Sequence, residues 1–204
     1  MTADPVTRWP AAVATPSVQR RIVRNTQQRI RWHLSEFERP DHTVLTTSDA
    51  WESDVESQGH DPTKQGLQVE RIAPPPAIAQ RLNLDPEHDV CVVRRHIRYI
   101  DDQPAIISDD FFDERIVRGT ELAELEDTTR EDILKEAGYE QVYDIDEIIT
   151  RMPTPEEIER LEITPGTPVA EHIRTGYTRT NQAVRVMISI IPGDTLILEY
   201  KIPT

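Results

Sequence analysis

The chain has 204 residues, 37% hydrophobic and 29% charged, with a net charge of −14, enough for one packed domain with extensions or two small ones. No apolar run approaches the roughly 18 residues of a membrane span, and the N-terminus lacks the apolar centre of a signal peptide, so a cytoplasmic protein with no membrane partner is expected. Cys91 is the single cysteine, which excludes a disulfide framework and a cysteine-based zinc site.

Charge is spread unevenly. Between Val6 and Ser35 there is no acidic residue, and Arg8, Arg20, Arg21, Arg24, Arg29 and Arg31 all fall there. An acidic body repels nucleic acid at long range, whereas this arm can lie weakly on phosphates; a solvated linker is the plainer reading. Residues 1–16, with Pro5, Pro10 and Pro16, read as loosely tethered. Within 17–39 a short helix is expected on the partial stripe Ile22, Ile30, Leu34 and Phe37, closed by Pro40. The chain therefore divides into a basic, proline-containing extension or linker (1–44) and a folded domain (45–204).

Ser48 can cap a helix holding Trp51 and Val55 that ends at Gly59. LQVERI (67–72) alternates like a strand, AIAQRLNL after a proline cluster has helical spacing, and VCVVRRHIRYI (90–100) is a long β run. DDQP (101–104) is a tight turn returning AIISDDFF (105–112) against it. Thr128 or Thr129 begins a helix through Leu134 that stops at Gly138. Then come VYDIDEIITRM (142–152) as strand, TPEEIERL as helix, VAEHIRTGYT (169–178) as strand, RTNQ as turn, and the strands AVRVMISII (183–191) and TLILEYKI (195–202).

This order repeats at an offset of 79. Pro76 meets Pro155, Arg81 meets Arg160, Leu82 meets Leu161, Pro86 meets Pro165, Val90 meets Val169, Arg95 meets Arg174, and Gln103 meets Gln182. The identities fall where a proline opens a helix, a leucine is buried, and a second proline stops the helix. The expected fold class is α+β: an antiparallel sheet from two duplicated strand–helix–hairpin halves, with the helices packed on one face and a ligand pocket between the halves.

On strand 90–100, Val90, Val92, Arg94, His96, Arg98 and Ile100 share a face. Two arginines and a histidine there can hold a carboxylate or phosphate by charge-assisted hydrogen bonds; an exposed polar sheet face is the bland alternative. Thr129, at a helix start, can serve an anion site or simply cap the helix. Asp109 and Asp110 point to opposite faces, so they share no acid–base role. Met187, Phe111 and Phe112 read as packing. The histidines (33, 42, 60, 88, 96 and 172) have no metal-ligand spacing. No glycine-rich phosphate loop or nucleophile elbow is present, and no cofactor is expected.

The stretch ITRMPTPEEIERLEITPGTPVAEHIRTGYTRTNQAVRVMISIIPGDTLILEY resembles the effector-binding UTRA domain of GntR-type transcriptional regulators of the HutC subfamily. HIRYIDDQPAI, IVRGTEL and the helix ending at Gly138 follow in that family's order, and the resemblance covers residues 45–204. It implies a chorismate-lyase-like fold, a small-molecule effector and a homodimer whose geometry the effector changes. It implies no enzyme, although chorismate lyase shares the fold and lyase chemistry is the rival reading. Arg98 matches the second arginine of the family's effector-contacting hairpin, with His96 at the place of the first, and Thr129 matches the serine that opens the middle helix. Amino-sugar-sensing relatives carry glutamate where this chain has Arg185 and tyrosine where it has Ile191, so the resemblance implies an acidic or anionic effector here. Glu171 and Tyr177, on one side of their strand, can complete the pocket; Glu171 can instead neutralise Arg185. Residues 1–44 are too few and too proline-rich for the family's winged helix-turn-helix. DNA is therefore expected only through a head not present in this chain, or weakly through the arm 8–31. A headless partner forming mixed dimers with full-length regulators is the further alternative.

Overall fold

The computed structural model describes residues 29–34, 47–124 and 133–200, with residues 47–50 described by backbone alone. In chain order it holds β1 (Ile30–His33), α1 (Thr47–Ser57), β2 (Pro62–Ile72), α2 (Pro76–Leu82), β3 (Cys91–Ile100), β4 (Gln103–Asp113) and α3 (Glu114–Val117). After a 3-10 turn over Glu121–Ala123 come α4 (Ile133–Glu136), β5 (Tyr143–Arg151), α5 (Pro155–Arg160), β6 (Val169–Tyr177), β7 (Ala183–Pro192) and β8 (Leu196–Glu199). Strands β2-β3-β4-β7-β6-β5 form one antiparallel sheet in that order. The fold is α+β, as its element pattern predicts.

The two halves meet at β4 and β7, where Ser108 lies opposite Ser189 and Asp109 opposite Ile188. Local structure repeats with the sequence. Pro76 and Pro155 each open a helix, where a missing N–H costs nothing. Leu82 and Leu161 are buried, and Asn83 and Glu162 end the helices at φ 54° and 50°. Leu84 N–H donates to Ala79 O and Ile163 N–H to Ile158 O. The second helix is fastened more firmly: Thr154 and Glu157 form a reciprocal capping box.

The single offset of 79 needs one correction. Asp113 and Pro192 correspond at that spacing, yet their partners are Cys91 and Val169, so β3 and β6 correspond with one residue fewer. The segment before β3 is a residue longer, and the second hairpin recovers it. Asp101 and Asp102 make a two-residue turn with both at positive φ, whereas Thr178 and Gln182 bracket a longer turn with Asn181 alone at positive φ. Side chains alternate along a strand, so one residue reverses the face. His96 therefore corresponds to Arg174 and Arg94 to His172, while Arg95 and Arg174 point to opposite faces. Val90 precedes β3 and is exposed; it is not the counterpart of the buried Val169.

Helices α2 and α5 cover one face, where Ile78, Leu82, Leu161 and Ile163 pack on Val93, Ile97, Phe111, Ile173 and Ile190. The other face is roofed by β1 and α1, whose Trp32 and Trp51 pack with Ile106, Met187 and Ile191. Each tryptophan is fully buried, worth on the order of 4 kcal/mol in gross transfer free energy. The helix expected within 17–39 is corrected here: Ile30–His33 is a strand, paired in parallel with β8 away from the main sheet. Ile30 and Trp32 both turn inward at period two; Ile22 and Phe37 lie outside the described residues. Helix α1 then clasps β1, because Arg31 N–H donates to Gln58 Oε1 and His33 N–H to Asp54 Oδ2. Among the described residues no helix is long and apolar enough to cross a membrane.

Candidate functional site

The roofed face carries the polar constellation. Strand alternation sets Arg94, His96 and Arg98 of β3 side by side, next to Ser108 and Asp110 of β4 and then Met187 and Ser189 of β7. Alternation along β7 carries Arg185, two residues before Met187, onto the same face and within reach of Asp110.

Most of these groups satisfy one another. Arg185 donates to Asp110 Oδ1 from Nε at 2.8 Å and approaches it with Nη2 at 2.6 Å. Burial would raise the Asp110 pKa, but Arg185, His96 and Arg98 outweigh it and hold the carboxyl below its usual range. Arg94 Nη1 donates to the carbonyls of Glu121, Leu122 and Glu124, fastening the 3-10 turn to the sheet. The buried hydroxyls of Ser108 and Ser189 lie 3.4 Å apart at the junction of the halves. Lys64 of β2 pairs with Glu52 of α1.

Arg98 is the exception. Its residue is 2% exposed, and its Nε and Nη1 have no hydrogen-bond partner among the described residues. Its guanidinium lies 4.9 Å from the Trp51 ring centroid, a cation–π contact that orients it without using its N–H groups. Burial lowers its pKa to about 10. His96, two residues earlier, is 8% exposed with an unpartnered Nε2; burial and then Arg98 push its pKa down to about 3. The ring is neutral near pH 7, a hydrogen-bonding group and a poor base. A buried cation with unused donors beside a neutral imidazole is organised to receive an anion.

The corresponding place in the second half is already filled. Arg174, the counterpart of His96, donates from Nε and Nη2 to the two oxygens of Asp146 at 2.6 Å each, and from Nη2 to Leu34 O at 2.9 Å. His172, the counterpart of Arg94, has Nε2 3.0 Å from Asp146 and meets Trp32 edge-on. Arg174 and His172 hold the Asp146 carboxyl far below its usual range against the opposing effect of burial.

Of the residues marked out in the sequence, the structure brings Arg98, His96 and Arg185 onto one face. Arg185 is neutralised by Asp110 and not by Glu171, which corrects the pairing considered above. Glu171 sits on the helix-covered face, where Arg151 Nε donates to it at 2.6 Å and also engages Glu157. Tyr177 shares that face and stacks on Tyr143 at the sheet edge, so neither residue joins Arg98. Thr129 lies outside the described residues. Sequence reasoning missed Asp110 and Trp51. Alternation in SDD made one aspartate of the pair turn toward Arg185, but only the β4–β7 register says which. Asp109 took the other face, where Arg95 Nε donates to it at 3.3 Å. Trp51 was visible only as an apolar helix residue.

The chain is thus an antiparallel sheet of two repeated half-units, with an arginine-bearing face under a separate roof. The UTRA domain family matches residues 57–196, and the chain belongs to that family. No curated protein sequence matches it. Solved structures share the fold at low identity. A protein described as a GntR-family transcriptional regulator superposes with a TM-score of 0.71 at 16% identity, over 86% of this chain and 70% of its own. PhnF from Mycobacterium smegmatis gives 0.68 at 16%, over 86% and 72%. The C-terminal domain of the histidine utilization repressor from Pseudomonas syringae pv. tomato gives 0.58 at 19%, over 71% and 99%.

Proposed function

We propose that the chain is the effector-sensing part of a GntR-type transcriptional regulator of the HutC subfamily, and that it binds an anionic small molecule between the β3–β4–β7 face and its α1 roof. One observation carries this reading: Arg98 is buried with unused donors under Trp51. Folding has no reason to bury N–H donors unused there unless something else engages them. The domain binds and does not turn over its ligand, since His96 is too weak a base near neutrality and Asp110 is held by Arg185.

Occupancy at Arg98 is passed outward through Trp51 and α1 to β1, whose backbone α1 grips through Gln58 and Asp54. β1 is where the preceding chain joins the domain, so differential affinity for two α1 positions moves whatever that segment carries. The working unit is a homodimer. The sheet edge supports this, because among the described residues β5 has no strand on its outer side and exposes Ile145, Ile148 and Ile149 beside Met152. DNA contact lies with the segment that precedes β1.

The test is a thermal-shift screen of acidic metabolites on wild type and Arg98→Met. Saturable stabilisation of wild type by at least one acid, lost in the variant, is expected. Equal shifts in both proteins would remove Arg98 from the site and sink the reading.

A further inference from the structure

Comparison of the two halves points to the chemistry of the effector. In the second half, Asp146 of β5 lies directly opposite Arg174 in the strand register, and its carboxylate is gripped there by the guanidinium and by His172. In the first half the counterpart of Arg174 is His96, and the counterpart of Asp146 is Leu67. Here β2 departs from the second half: the register shifts between Gln65 and Gln68, leaving Gly66 and Leu67 opposite His96. Gly66 has φ +68°, a conformation that favours glycine and lets the strand bulge at this point. In the half that contains its own carboxylate the arginine is matched by two hydrogen bonds, and the ring nitrogens of His172, although one lies 3.0 Å from Asp146, make no hydrogen bond among the described residues. The half that lacks one has unpartnered nitrogens on His96 and Arg98, both more than nine-tenths buried.

The charges around the first-half site narrow the class. Arg185 is matched by Asp110, Lys64 by Glu52, and Arg94 is turned to the 121–124 carbonyls. Among the described residues of this face, Arg98 is the cation left to meet a ligand. One guanidinium offers a planar fork to two oxygens, which fits a carboxylate. A phosphate monoester carries close to two charges at neutral pH. Its second charge would lie buried beside Asp110 with no cation to answer it.

We propose that the effector is a monocarboxylic acid, seated by its carboxylate on Arg98 and His96 at the place that Asp146 fills in the second half. The proposal rests on the effector-sensing reading above and adds to it the head group. Selectivity for one charge follows from the chain's own pairing, and the remainder of the molecule lies against Trp51 and Met187.

The experiment is isothermal titration of the full chain at pH 7 with matched pairs: benzoate against phenyl phosphate, and hexanoate against hexyl phosphate, with inorganic phosphate as a further probe. At least one carboxylate is expected to bind 10-fold or more tightly than its phosphate partner. That binding disappears in Arg98→Met. Leu67→Asp supplies an internal carboxylate opposite His96 and is expected to weaken carboxylate binding 10-fold or more. Tighter binding of the phosphate partners, still dependent on Arg98, would overturn the carboxylate assignment and leave effector sensing intact. Binding of every probe unaffected by Arg98→Met would overturn both. The wild-type selectivity needs no variant to fold, so the central comparison stands alone.

Discussion

Arg98→Met is expected to make the free protein more stable while destroying its ligand response. Burial holds the guanidinium pKa at about 10, against an ordinary 12.5, and that gap corresponds to about 3 kcal/mol working against the folded state. The sign follows from proton binding. Between those two values the unfolded chain holds the proton more tightly, so the penalty is complete below pH 10 and is relieved only above it. At pH 7 the variant escapes all of it. Methionine fills much of the same space against Trp51 and forfeits the cation–π contact, worth about 1 kcal/mol. The net gain is about 2 kcal/mol, a rise in melting temperature of roughly 4–8 °C for a domain of this size. Urea unfolding at pH 7 and at pH 8 checks it, with the slope against denaturant unchanged. A variant less stable than wild type would refute the reasoning, since it would mean that Arg98 is matched within the protein and is not held for a ligand.

Asp110→Asn should destabilise by about 3 kcal/mol, at the lower end for breaking a buried pair because Arg185 keeps some exposure; adding Arg185→Gln should restore most of it in urea unfolding. Asp109, pushed up to about 7 by burial, contributes stability below the unfolded carboxyl pKa that is lost as pH rises through 7. Asp109→Asn should therefore gain about 3 kcal/mol relative to wild type between pH 5 and pH 8, read from paired denaturation curves; parallel curves would refute it. The ion-paired group Arg151, Glu157 and Glu171 stands where the first half has Ile72, Ile78 and Val93. Transplanting that apolar set (Arg151→Ile, Glu157→Ile, Glu171→Val) should stay within about 1 kcal/mol of wild type, whereas Glu157→Ala alone should cost about 2 kcal/mol or more by losing the pair and the helix cap. If wild type is the proposed dimer in light scattering, Ile148→Lys with Ile149→Lys should convert it to monomer without changing the circular dichroism; a monomeric wild type would refute the dimer, and an unchanged dimer would move the interface off β5.

Much of the fold was legible because its signals are local. Proline at a helix start, a buried leucine one turn on, an alternating run and a tight turn each act within a few residues, and together they located both halves. The duplication was visible for the same reason. Its exact register in β3 and β6 was not, because one residue moved from a loop to a turn leaves the pattern readable while reversing every side chain. Of the candidate site, alternation alone put Arg94, His96 and Arg98 on one face. Glu171 and Tyr177 were grouped with them because alternation within a strand does not say which side of the sheet a helix will cover.

By itself the sequence determined the order of elements, the internal repeat, the opposite orientation of Asp109 and Asp110, and the cationic strand from Arg94 to Arg98. The tertiary structure decided the partners. It paired Arg185 with Asp110, made Ile30–His33 a strand by giving it β8, and laid Trp51 over Arg98. It also filled the second-half site with Asp146 and left the first-half site open. Charge and hydrogen bonding are settled by neighbours distant in sequence, and whether an arginine is matched or waiting depends on which strands lie beside it.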